Sequence, residues 1–545
     1  MKFKSLCNKK NLNLNFNLRR LFSVKLNDFA VYKTKSNGHV LQNFYNGKWQ
    51  EKSEEYEVFP NPLTGVKDFV KVPNLTPNEF KPVVEEMRKV PTYGLHNPLK
   101  NNERYLMYGQ ICRKLAQALY EEDIFNHFVD LIKDVAPKST GQAVGEMKVI
   151  RAFIENFAGD NVRYLARGFS TPGDHQGQSP SGLRFPYGPV SVITPFNFPL
   201  EIMILQTMGA LFMGNKPLIK NDSKVALPMN DFLRLMHACG MPKDDVVMIH
   251  SDGKRMEELM LQCNLKMNLF TGSARAAKRL TNVLNGKIKV EDAGLDWKIL
   301  GPDVSNVDYV SFMIDHDSYA LGGQKCSAES FLFVHENWTK TDLYSKIKAL
   351  TEKRSINDLT NPPILSWNNK KIQAHIDNVL KTVKGSEILF GGKPITEKHS
   401  VPEIYGTFQP TAIKVPIESL TNPNCQEILN TELFGPFQLV VEYKDSNLNT
   451  VIDFLNNMEH KLTCGVVSND VKFLNKVLGE TSNGTTYAGI RARTTGAPQN
   501  HWFGPGGDPR AGGIGSIESI QLVWSHHREI VYDYIIPDNI NLVQS

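Results

Sequence analysis

The chain has 545 residues, of which 41% are hydrophobic and 22% are charged. These proportions are typical of a soluble globular protein with several domains, and they exclude a mainly disordered chain or a polytopic membrane protein. Seven basic residues precede the first acidic residue, Asp28, so that removing them changes the formal net charge from +5 to −2. Because the rest of the chain has no cluster of basic residues, nucleic acid is not expected as a partner.

The N-terminal segment, residues 1–27, is rich in Lys, Arg, Leu and Phe and has no acidic residue. This composition predicts a mitochondrial presequence, with RRLFS at 19–23 as the cleavage region and the matrix as the destination. The alternative is a disordered basic tail.

The seven cysteines are scattered along the chain and form no C-x-x-C pair. This distribution favours a reducing compartment over a disulfide framework, and no metal site is expected.

Residues 188–214 are long and apolar enough to imitate a membrane span. Pro195, Asn197, Pro199 and Glu201 interrupt the segment, which a lipid-facing helix would tolerate poorly. We therefore expect no membrane insertion, but a buried strand, a turn and a buried helix with Pro199 at its first position.

From residue 190 onward, short apolar runs alternate with longer amphipathic ones, which predicts parallel βαβ units and an α/β fold with a doubly wound sheet. A dinucleotide-binding site is the natural hypothesis for such a sheet. The predicted strands of this first region are 190–194, 216–220, 246–250 and 267–272, and the predicted helices begin near 199, 225 and 253. A second α/β region, about 297–505, has predicted strands at 330–334, 437–443 and 464–468.

Three residues are candidates for chemistry. Cys326 in GGQKCSA has small neighbours that would let a substrate approach a nucleophile, although a lone cysteine beside glycines is more often packing filler. Glu291 ends an apolar strand-like run in VEDAGLDW, where it is either a rim residue or a base with a raised pKa. Asn197 in TPFNFP could cap the following helix or direct its amide into a site as an oxyanion donor.

Five motifs together resemble the aldehyde dehydrogenase superfamily, in their order and approximate spacing. They are FNFP, FTGS at 270–273, the Glu-x-x-Gly strand end, GQKC and ELFGPF at 432–437. The resemblance covers nearly all of the chain after residue 50. It implies the aldehyde dehydrogenase fold, with an NAD-binding Rossmann-like domain (28–167 and 187–296), a catalytic α/β domain (297–515) and a small β oligomerisation arm (168–186 and 516–545). The turn-rich segment and the tail that would form this arm could instead be a surface loop and a loose end.

The resemblance also implies the catalytic roles. Cys326 would attack the aldehyde as a thiolate, Asn197 would hold the oxyanion, and Glu291 would activate the water that hydrolyses the thioester. The cofactor would be NAD, bound by Thr194, Pro195, Lys220, Gly272, Ser273, Glu432 and Phe434.

Two positions depart from the usual cofactor pattern of the family. The residues after Lys220 are Asn221, Asp222 and Ser223, so the acid that usually meets the adenosine ribose is missing and Lys224 stands nearby. This departure weakens the expected selectivity for NAD over NADP. The second glycine after FTGS is Ala277, a small change.

Ser327 directly after the nucleophile is similar to the pyrroline-5-carboxylate dehydrogenase branch, and the segment 493–515 resembles its plant-type members, family twelve of the superfamily. The resemblance implies L-glutamate 5-semialdehyde as the small-molecule substrate. Ser327 and the backbone of Gly496 and Ala497 would bind its α-carboxylate, Phe503 would cover its aliphatic chain, and the enzyme would be a homo-oligomer. The alternatives are another semialdehyde dehydrogenase and a catalytically silent homologue.

Overall fold

The computed structural model describes residues 24–496, 501–536 and 538, so most of the predicted presequence and Ala497 lie outside the described residues. The strands are β1 (His39–Val40), β2 (Phe44–Tyr45), β3 (Lys48–Trp49), β4 (Tyr56–Phe59), β5 (Val70–Pro73), β6 (Phe169–Ser170), β7 (Gln178–Pro186), β8 (Pro189–Thr194), β9 (Lys216–Asn221), β10 (Val247–Met248), β11 (Met267–Thr271), β12 (Ile288–Glu291), β13 (Asp296–Leu300), β14 (Glu329–His335), β15 (Glu387–Phe390), β16 (Thr411–Lys414), β17 (Phe437–Tyr443), β18 (Thr463–Val467), β19 (Thr485–Ala488) and β20 (Ser525–Asp533).

The helices are α1 (Phe80–Arg88), α2 (Glu103–Ala118), α3 (Glu122–Val135), α4 (Thr140–Asn156), α5 (Asn161–Leu165), α6 (Glu201–Phe212), α7 (Leu227–Ala238), α8 (Gly253–Cys263), α9 (Ala274–Val283), α10 (Val307–Tyr319), α11 (Leu343–Thr351), α12 (Asn369–Thr382), α13 (Gln426–Leu429), α14 (Leu448–Asn457), α15 (Val471–Glu480) and α16 (Ile517–Trp524).

The first large sheet has the order β12-β11-β8-β9-β10-β2-β3, with parallel pairing from β12 to β10. Every residue of β9, and most of β8, is buried, as expected for parallel strands covered on both faces. The chain runs from β8 to β9 in one direction and returns to β11 on the other side of β8. The carboxyl ends of β8 and β11 therefore flank a crevice, which is where open α/β sheets bind ligands.

The second large sheet has the order β15-β16-β17-β14-β13-β18-β19 and is parallel except for β15. The chain passes from the first sheet to the second between Glu291, the last residue of β12, and Asp296, the first of β13. The predicted α/β architecture with two sheet regions is thus confirmed. The domain boundaries that the resemblance implies remain predictions.

A third, antiparallel sheet has the order β20-β7-β6, and β20 pairs with β7 along nine residues, from Ser525 opposite Pro186 to Asp533 opposite Gln178. We call it the arm sheet, because it joins the two segments from which an arm is expected. The small sheet β1-β5-β4 lies near the N-terminus.

The apolar segment 188–214 forms β8, a turn and the buried helix α6, as predicted. The helix begins at Glu201 and not at Pro199, so the predicted start is wrong by two residues. The reason is a long-range contact, since the Glu146 carboxylate accepts the N–H groups of Leu200 (2.9 Å) and Glu201 (3.3 Å) and fixes where the first turn starts. Within the described residues, no helix combines the length and apolar character needed to cross a membrane.

Candidate active site

Two cavities meet between the large sheets. One has a volume of about 900 Å³ and the other of about 340 Å³. Cys326, Glu291 and Ile202 line both of them, so these three residues lie at the junction. A reaction between the contents of the two cavities would take place there.

The turn before Cys326 has an uncommon backbone. Leu321, Gly322 and Gly323 have φ values of 60°, 62° and 67°, and a side chain at Gly323 would place its Cβ 2.0 Å from the carbonyl oxygen of Gly435. Gln324 fastens the turn, because its amide donates to the carbonyl of Leu321 (3.1 Å) and accepts from the N–H of Leu365 (2.6 Å). The Gly-Gly-Gln sequence therefore serves to hold Cys326 in place ahead of β14.

Glu291 reaches the junction because it is the last residue of β12. Three residues later, a side chain at Gly294 would place its Cβ 2.0 Å from the carbonyl oxygen of Cys326. Only glycine allows the two backbone segments to approach so closely. This contact explains the Glu-x-x-Gly spacing, since it brings the carboxylate and the thiol together.

Burial controls the ionisation of both groups. It raises the pKa of Glu291 to about 7, although the nearby thiol of Cys326 opposes the shift. Both carboxyl oxygens of Glu291 are buried, and no group of the described residues lies in hydrogen-bonding geometry to either of them. Burial also raises the pKa of the Cys326 thiol well above its ordinary range, and the charge of Glu291 adds to this effect. The site therefore holds a thiol next to a carboxyl group that can exchange a proton near neutral pH.

Asn197 lines the larger cavity and is 3% exposed. Its side-chain oxygen is buried and has no hydrogen-bond partner in the part of the chain that the structure describes, and the N-cap residue of α6, Leu200, forms no side-chain cap. The alternative that Asn197 caps this helix is wrong, because Glu146 accepts the N–H groups at the start of the helix. The amide of Asn197 remains available to a ligand.

A buried ion pair supports the Asn197 turn. The Lys138 ammonium lies 3.0 Å from the Glu146 carboxylate and donates to the backbone carbonyl of Asn197 at 2.9 Å. Both side chains of the pair are fully buried. The sequence analysis missed the role of this pair, and no local pattern could have revealed it, because its contacts with Asn197 and Leu200 join positions more than 50 residues apart.

The larger cavity contains all seven residues that the resemblance assigns to the cofactor. They are Thr194, Pro195, Lys220, Gly272, Ser273, Glu432 and Phe434. They come from the carboxyl ends of β8, β9 and β11 and from the loop before β17, so the topology explains why they converge.

The end of β11 has the features of a phosphate-binding turn. A side chain at Gly272 would place its Cβ 2.6 Å from the Phe270 ring. Ser273 is the N-cap of α9, but its side chain does not cap the helix. Across the crevice, the buried hydroxyl of Thr194 has no hydrogen-bond partner within the described residues. The free N–H groups of the first helical turn and the nearby hydroxyls fit an anionic group such as a pyrophosphate.

The opposite wall of this cavity carries Glu432 and Phe434. Burial raises the pKa of Glu432 to about 8, and its carboxylate accepts the N–H of Gly294 at 3.4 Å. Phe434 has a φ of 50°, and two side chains that the sequence analysis missed hold this loop. Ser366 donates to the carbonyl of Phe434 at 2.8 Å, and Trp367 donates to the carbonyl of Leu433 at 2.7 Å.

The residues around the end of β9 change what the sequence implied about the contacts of the adenosine ribose. Lys220 is buried and donates to the carbonyl of Asn221 at 3.1 Å. Asp222 lines the cavity and lies 3.5 Å from the ammonium of Lys224. This part of the cavity therefore contains a carboxylate, although not at the position where the family pattern places it.

The smaller cavity contains three of the four expected substrate residues, Ser327, Gly496 and Phe503. Gly496 has a φ of 80°, which favours glycine, and the Thr494 hydroxyl donates to the carbonyl of Ser327 at 2.7 Å. This bond joins the segment around Gly496 to the loop of the nucleophile. The fourth expected residue, Ala497, lies outside the described residues.

The site can be compared with known proteins. Residues 49–519 match the aldehyde dehydrogenase family. The chain is 53% identical over 495 residues to delta-1-pyrroline-5-carboxylate dehydrogenase 12A1, mitochondrial, of Arabidopsis thaliana, which covers 91% of this chain and 88% of the relative. It is also 53% identical over 491 residues to a probable aldehyde dehydrogenase of Linum usitatissimum, covering 90% of this chain and 88% of the relative.

Among solved structures, an NAD-dependent aldehyde dehydrogenase from Sinorhizobium meliloti has a similar fold. The TM-score is 0.77 at 17% sequence identity, and the match covers 94% of this chain and all of the other. The family match spans most of the chain, the identity to the plant relatives is high, and the fold agrees. The chain therefore belongs to the aldehyde dehydrogenase family.

Proposed function

We propose that the protein oxidises L-glutamate 5-semialdehyde to L-glutamate with NAD as the cofactor, a reaction of proline breakdown. The identity of 53% over 91% of the chain to the Arabidopsis pyrroline-5-carboxylate dehydrogenase supports this activity. The observation that carries it is the junction of the two cavities, where Cys326 and Glu291 face both the larger and the smaller cavity.

In the first half of the reaction, the sulfur of Cys326 forms a bond to the aldehyde carbon. The thiol must lose its proton as it attacks, and the Glu291 carboxylate is close enough to accept it. The carbonyl oxygen becomes an alkoxide, which the Asn197 amide and the N–H of Cys326 stabilise. NAD bound in the larger cavity would supply the acceptor for the hydride that leaves the tetrahedral carbon, and the loss of this hydride would leave a thioester on Cys326.

In the second half, water hydrolyses the thioester. Glu291, after releasing its first proton to solvent, accepts a proton from this water, and the hydroxide adds to the thioester carbon. The sulfur leaves, and the acid product is released. A carboxyl group with a pKa of about 7 suits this role, because its base form is present at the pH of the matrix while its affinity for protons remains high.

The chain's own groups fit NAD in the larger cavity. The unpartnered Thr194 hydroxyl, the open N-terminus of α9 at Ser273 and the tight turn at Gly272 would hold the pyrophosphate. Glu432 would accept hydrogen bonds from the hydroxyls of the nicotinamide ribose. Lys220 would donate to the adenosine ribose at the other end.

The substrate assignment depends on the smaller cavity. The Ser327 hydroxyl and the backbone N–H groups around Gly496 would bind the α-carboxylate, and the Phe503 ring would cover the aliphatic chain. The volume of about 340 Å³ is sufficient for a five-carbon substrate.

The experiment is to measure NADH formation by the purified chain from residue 24. Glutamate 5-semialdehyde is compared with succinate semialdehyde and propanal. A strong preference for the first is expected. Equal rates would leave the aldehyde dehydrogenase activity in place and remove the substrate assignment, and no NADH from any of the three would indicate a silent homologue.

We also infer that the chain forms a homo-oligomer through the arm sheet. Along β20, no strand within the described residues pairs with the edge opposite to β7. Large apolar side chains on or beside this sheet are exposed, with Phe169 at 64%, Val531 at 58%, Tyr534 at 75% and Ile536 at 82%. A long free strand edge beside exposed apolar groups is a surface that another chain can cover.

The proposed location is the mitochondrial matrix. The basic composition of residues 1–27 supports it, and the Arabidopsis relative carries the word mitochondrial in its name. Fusion of residues 1–27 to a fluorescent protein would test it, and a cytosolic signal would contradict it.

A further inference from the structure

The smaller cavity contains a carboxylate that the proposed chemistry does not use. Glu201 is the first residue of α6, and it lines this cavity together with Cys326, Ser327 and Phe503. Among the residues that the structure describes, none donates a hydrogen bond to its carboxylate or forms an ion pair with it. The sequence analysis had noted Glu201 only as an interruption of an apolar segment.

The surroundings of Glu201 favour a positively charged partner. Burial raises its pKa to about 8, and the charges of Glu146 and Glu291 add to the effect. The nearest cation, Lys138, is already paired with Glu146 at 3.0 Å and donates to the backbone of Asn197. A cation that enters the cavity would therefore find an unpaired carboxyl group with negative neighbours.

The other carboxylates around the cavity are already engaged. Glu146 holds Lys138 and the start of α6, and Glu291 lies against the thiol of Cys326. The lysine that lines the cavity, Lys325, is engaged as well, because it donates to the carbonyl of His316 at 3.1 Å. Glu201 is thus the carboxylate that remains for the substrate.

The chemistry of an amino acid aldehyde supplies the matching cation. With its aldehyde carbon at Cys326 and its α-carboxylate at Ser327 and Gly496, the molecule still carries an α-ammonium group. Burying this charge without a partner would be strongly unfavourable, because both its hydration and its hydrogen bonds would be lost. A hydrogen bond between charged groups offsets that loss and is stronger than one between neutral groups.

We propose that Glu201 binds the α-ammonium group of the substrate and thereby selects amino acid aldehydes over semialdehydes of the same length without an amine. The proposal rests on the function proposed above, which it deepens by naming the residue that recognises the amine.

The same contact would select the open-chain form of the substrate. The amine and the aldehyde of glutamate 5-semialdehyde can condense with loss of water to a cyclic imine, which has no carbonyl carbon for the Cys326 thiol to attack. An amine held as an ammonium at Glu201 has no free electron pair for this condensation. Glu201 would therefore keep the bound molecule in the reactive form.

The test compares two substrates in wild type and Glu201→Gln. L-Glutamate 5-semialdehyde carries the amine, and 5-oxopentanoate is the same chain without it. We expect Glu201→Gln to lower kcat/KM for the first by about 10- to 100-fold, mainly through KM, and to change it less than about threefold for the second. The matched control is Glu352→Gln, the same change at an exposed helical end 3.9 Å from Lys348, which should alter neither value.

The other possible results would contradict either the ammonium site at Glu201 or the proposed function. An equal loss on both substrates would make Glu201 a positioning or proton-transfer residue, and no loss on either would remove it from the site. A wild-type enzyme that oxidises 5-oxopentanoate as well as the amino acid aldehyde would contradict an ammonium site. Oxidation of other aldehydes without oxidation of glutamate 5-semialdehyde would instead overturn the proposed function.

A second measurement uses only the wild-type enzyme, so it tests the proposal even if Glu201→Gln fails to fold. The product L-glutamate and its analogue glutarate are compared as competitive inhibitors of the wild-type enzyme against the aldehyde. L-Glutamate should bind about tenfold or more tightly, because only it carries the ammonium group. Equal inhibition constants would overturn the proposal.

Discussion

The Lys138 ammonium donates to the backbone carbonyl of Asn197 from a fully buried position, 2.9 Å away. The same ammonium is paired with Glu146, whose other carboxylate oxygen accepts the N–H of Leu200. One ion pair on α4 and the segment before it thus fixes both the turn that carries Asn197 and the start of α6. A buried pair of this kind determines where a side chain points, even where it adds little net stability.

Lys138→Met should therefore destabilise the protein and impair the site. Removing one partner leaves the Glu146 carboxylate buried without its cation, which should lower the free energy of unfolding by about 3–5 kcal/mol. Urea unfolding followed by tryptophan fluorescence measures the change. The double variant Lys138→Met with Glu146→Leu should recover much of the stability, but not the position of Asn197. A loss below about 1 kcal/mol in the single variant would show that the pair has no structural role.

Cys326→Ala should abolish aldehyde oxidation and leave NAD binding nearly intact. The substitution removes the sulfur at the junction of the cavities, but no group at the turn of Gly272 or at the start of α9. Steady-state NADH formation measures the first effect, and calorimetric titration with NAD measures the second. Cys425→Ala is the matched control, because Cys425 is buried in a hydrophobic core that includes residues of the second large sheet, and it lines neither cavity. Retained turnover in Cys326→Ala would exclude this cysteine as the nucleophile.

Glu291→Gln should separate the two halves of the reaction. If the main task of Glu291 is to activate the hydrolytic water, the variant should still form about one equivalent of NADH per site in a burst, although more slowly than the wild type because Gln cannot accept the thiol proton. It should then turn over slowly as the thioester accumulates. Added hydroxylamine, which attacks a thioester without a general base, should restore part of the turnover. The absence of both a burst and a rescue would show that the proton transfer from Cys326, and not the hydrolysis, is the step that requires Glu291.

The pH profile tests the same carboxyl group independently. Burial raises the pKa of Glu291 to about 7, so the base form decreases as the pH falls through that value. The turnover number of the wild-type enzyme should therefore rise with pH and level off above about 7. Glu291→Gln should lose this inflection. A profile that is flat between about pH 6 and pH 8 would show that Glu291 does not titrate in this range.

Sequence patterns predicted the parts of the protein that local chemistry determines. The alternation of apolar and amphipathic runs located β8, β9 and β11 within one or two residues, because parallel strands buried on both faces have few polar residues. Ordered motifs identified Cys326, Glu291 and Asn197 as candidates, and the structure brings them together. Their roles remain predictions that the variants above test.

The residues that sequence reasoning missed depend on contacts between distant segments. Lys138 reaches Asn197 across 59 positions, and Glu146 reaches Leu200 across 54. Those contacts also explain the wrong start of α6, because Pro199 suggested a helix start from local preference alone. No sequence pattern indicated a role for the carboxylate of Glu201, because its position in the same cavity as the nucleophile depends on the fold.

Gly272→Ala should weaken dinucleotide binding without affecting the substrate cavity. The added methyl group would lie 2.6 Å from the Phe270 ring, so the turn before α9 must shift away from the position that leaves its N–H groups open to a phosphate. We expect the KM for NAD to rise about tenfold or more. Gly479→Ala is the control, since among the described residues no atom outside the neighbouring backbone of its own helix lies within 4 Å of the added methyl group. An unchanged KM for NAD would place the pyrophosphate elsewhere.

Introducing charged residues on the arm sheet should dissociate the oligomer into smaller species. Tyr534 is 75% exposed and Ile536 is 82% exposed beside the free edge of β20, so replacing both with aspartate would cost little stability in an isolated chain. If another chain covers this surface, the two charges would be buried at the contact, and the molecular mass in solution should fall. Light scattering after size-exclusion chromatography measures the mass. Two aspartates at exposed positions outside the arm sheet, Ile404→Asp and Leu261→Asp, are the control for a general effect of added charge. An unchanged oligomer in the arm variant would show that the arm sheet does not form the interface.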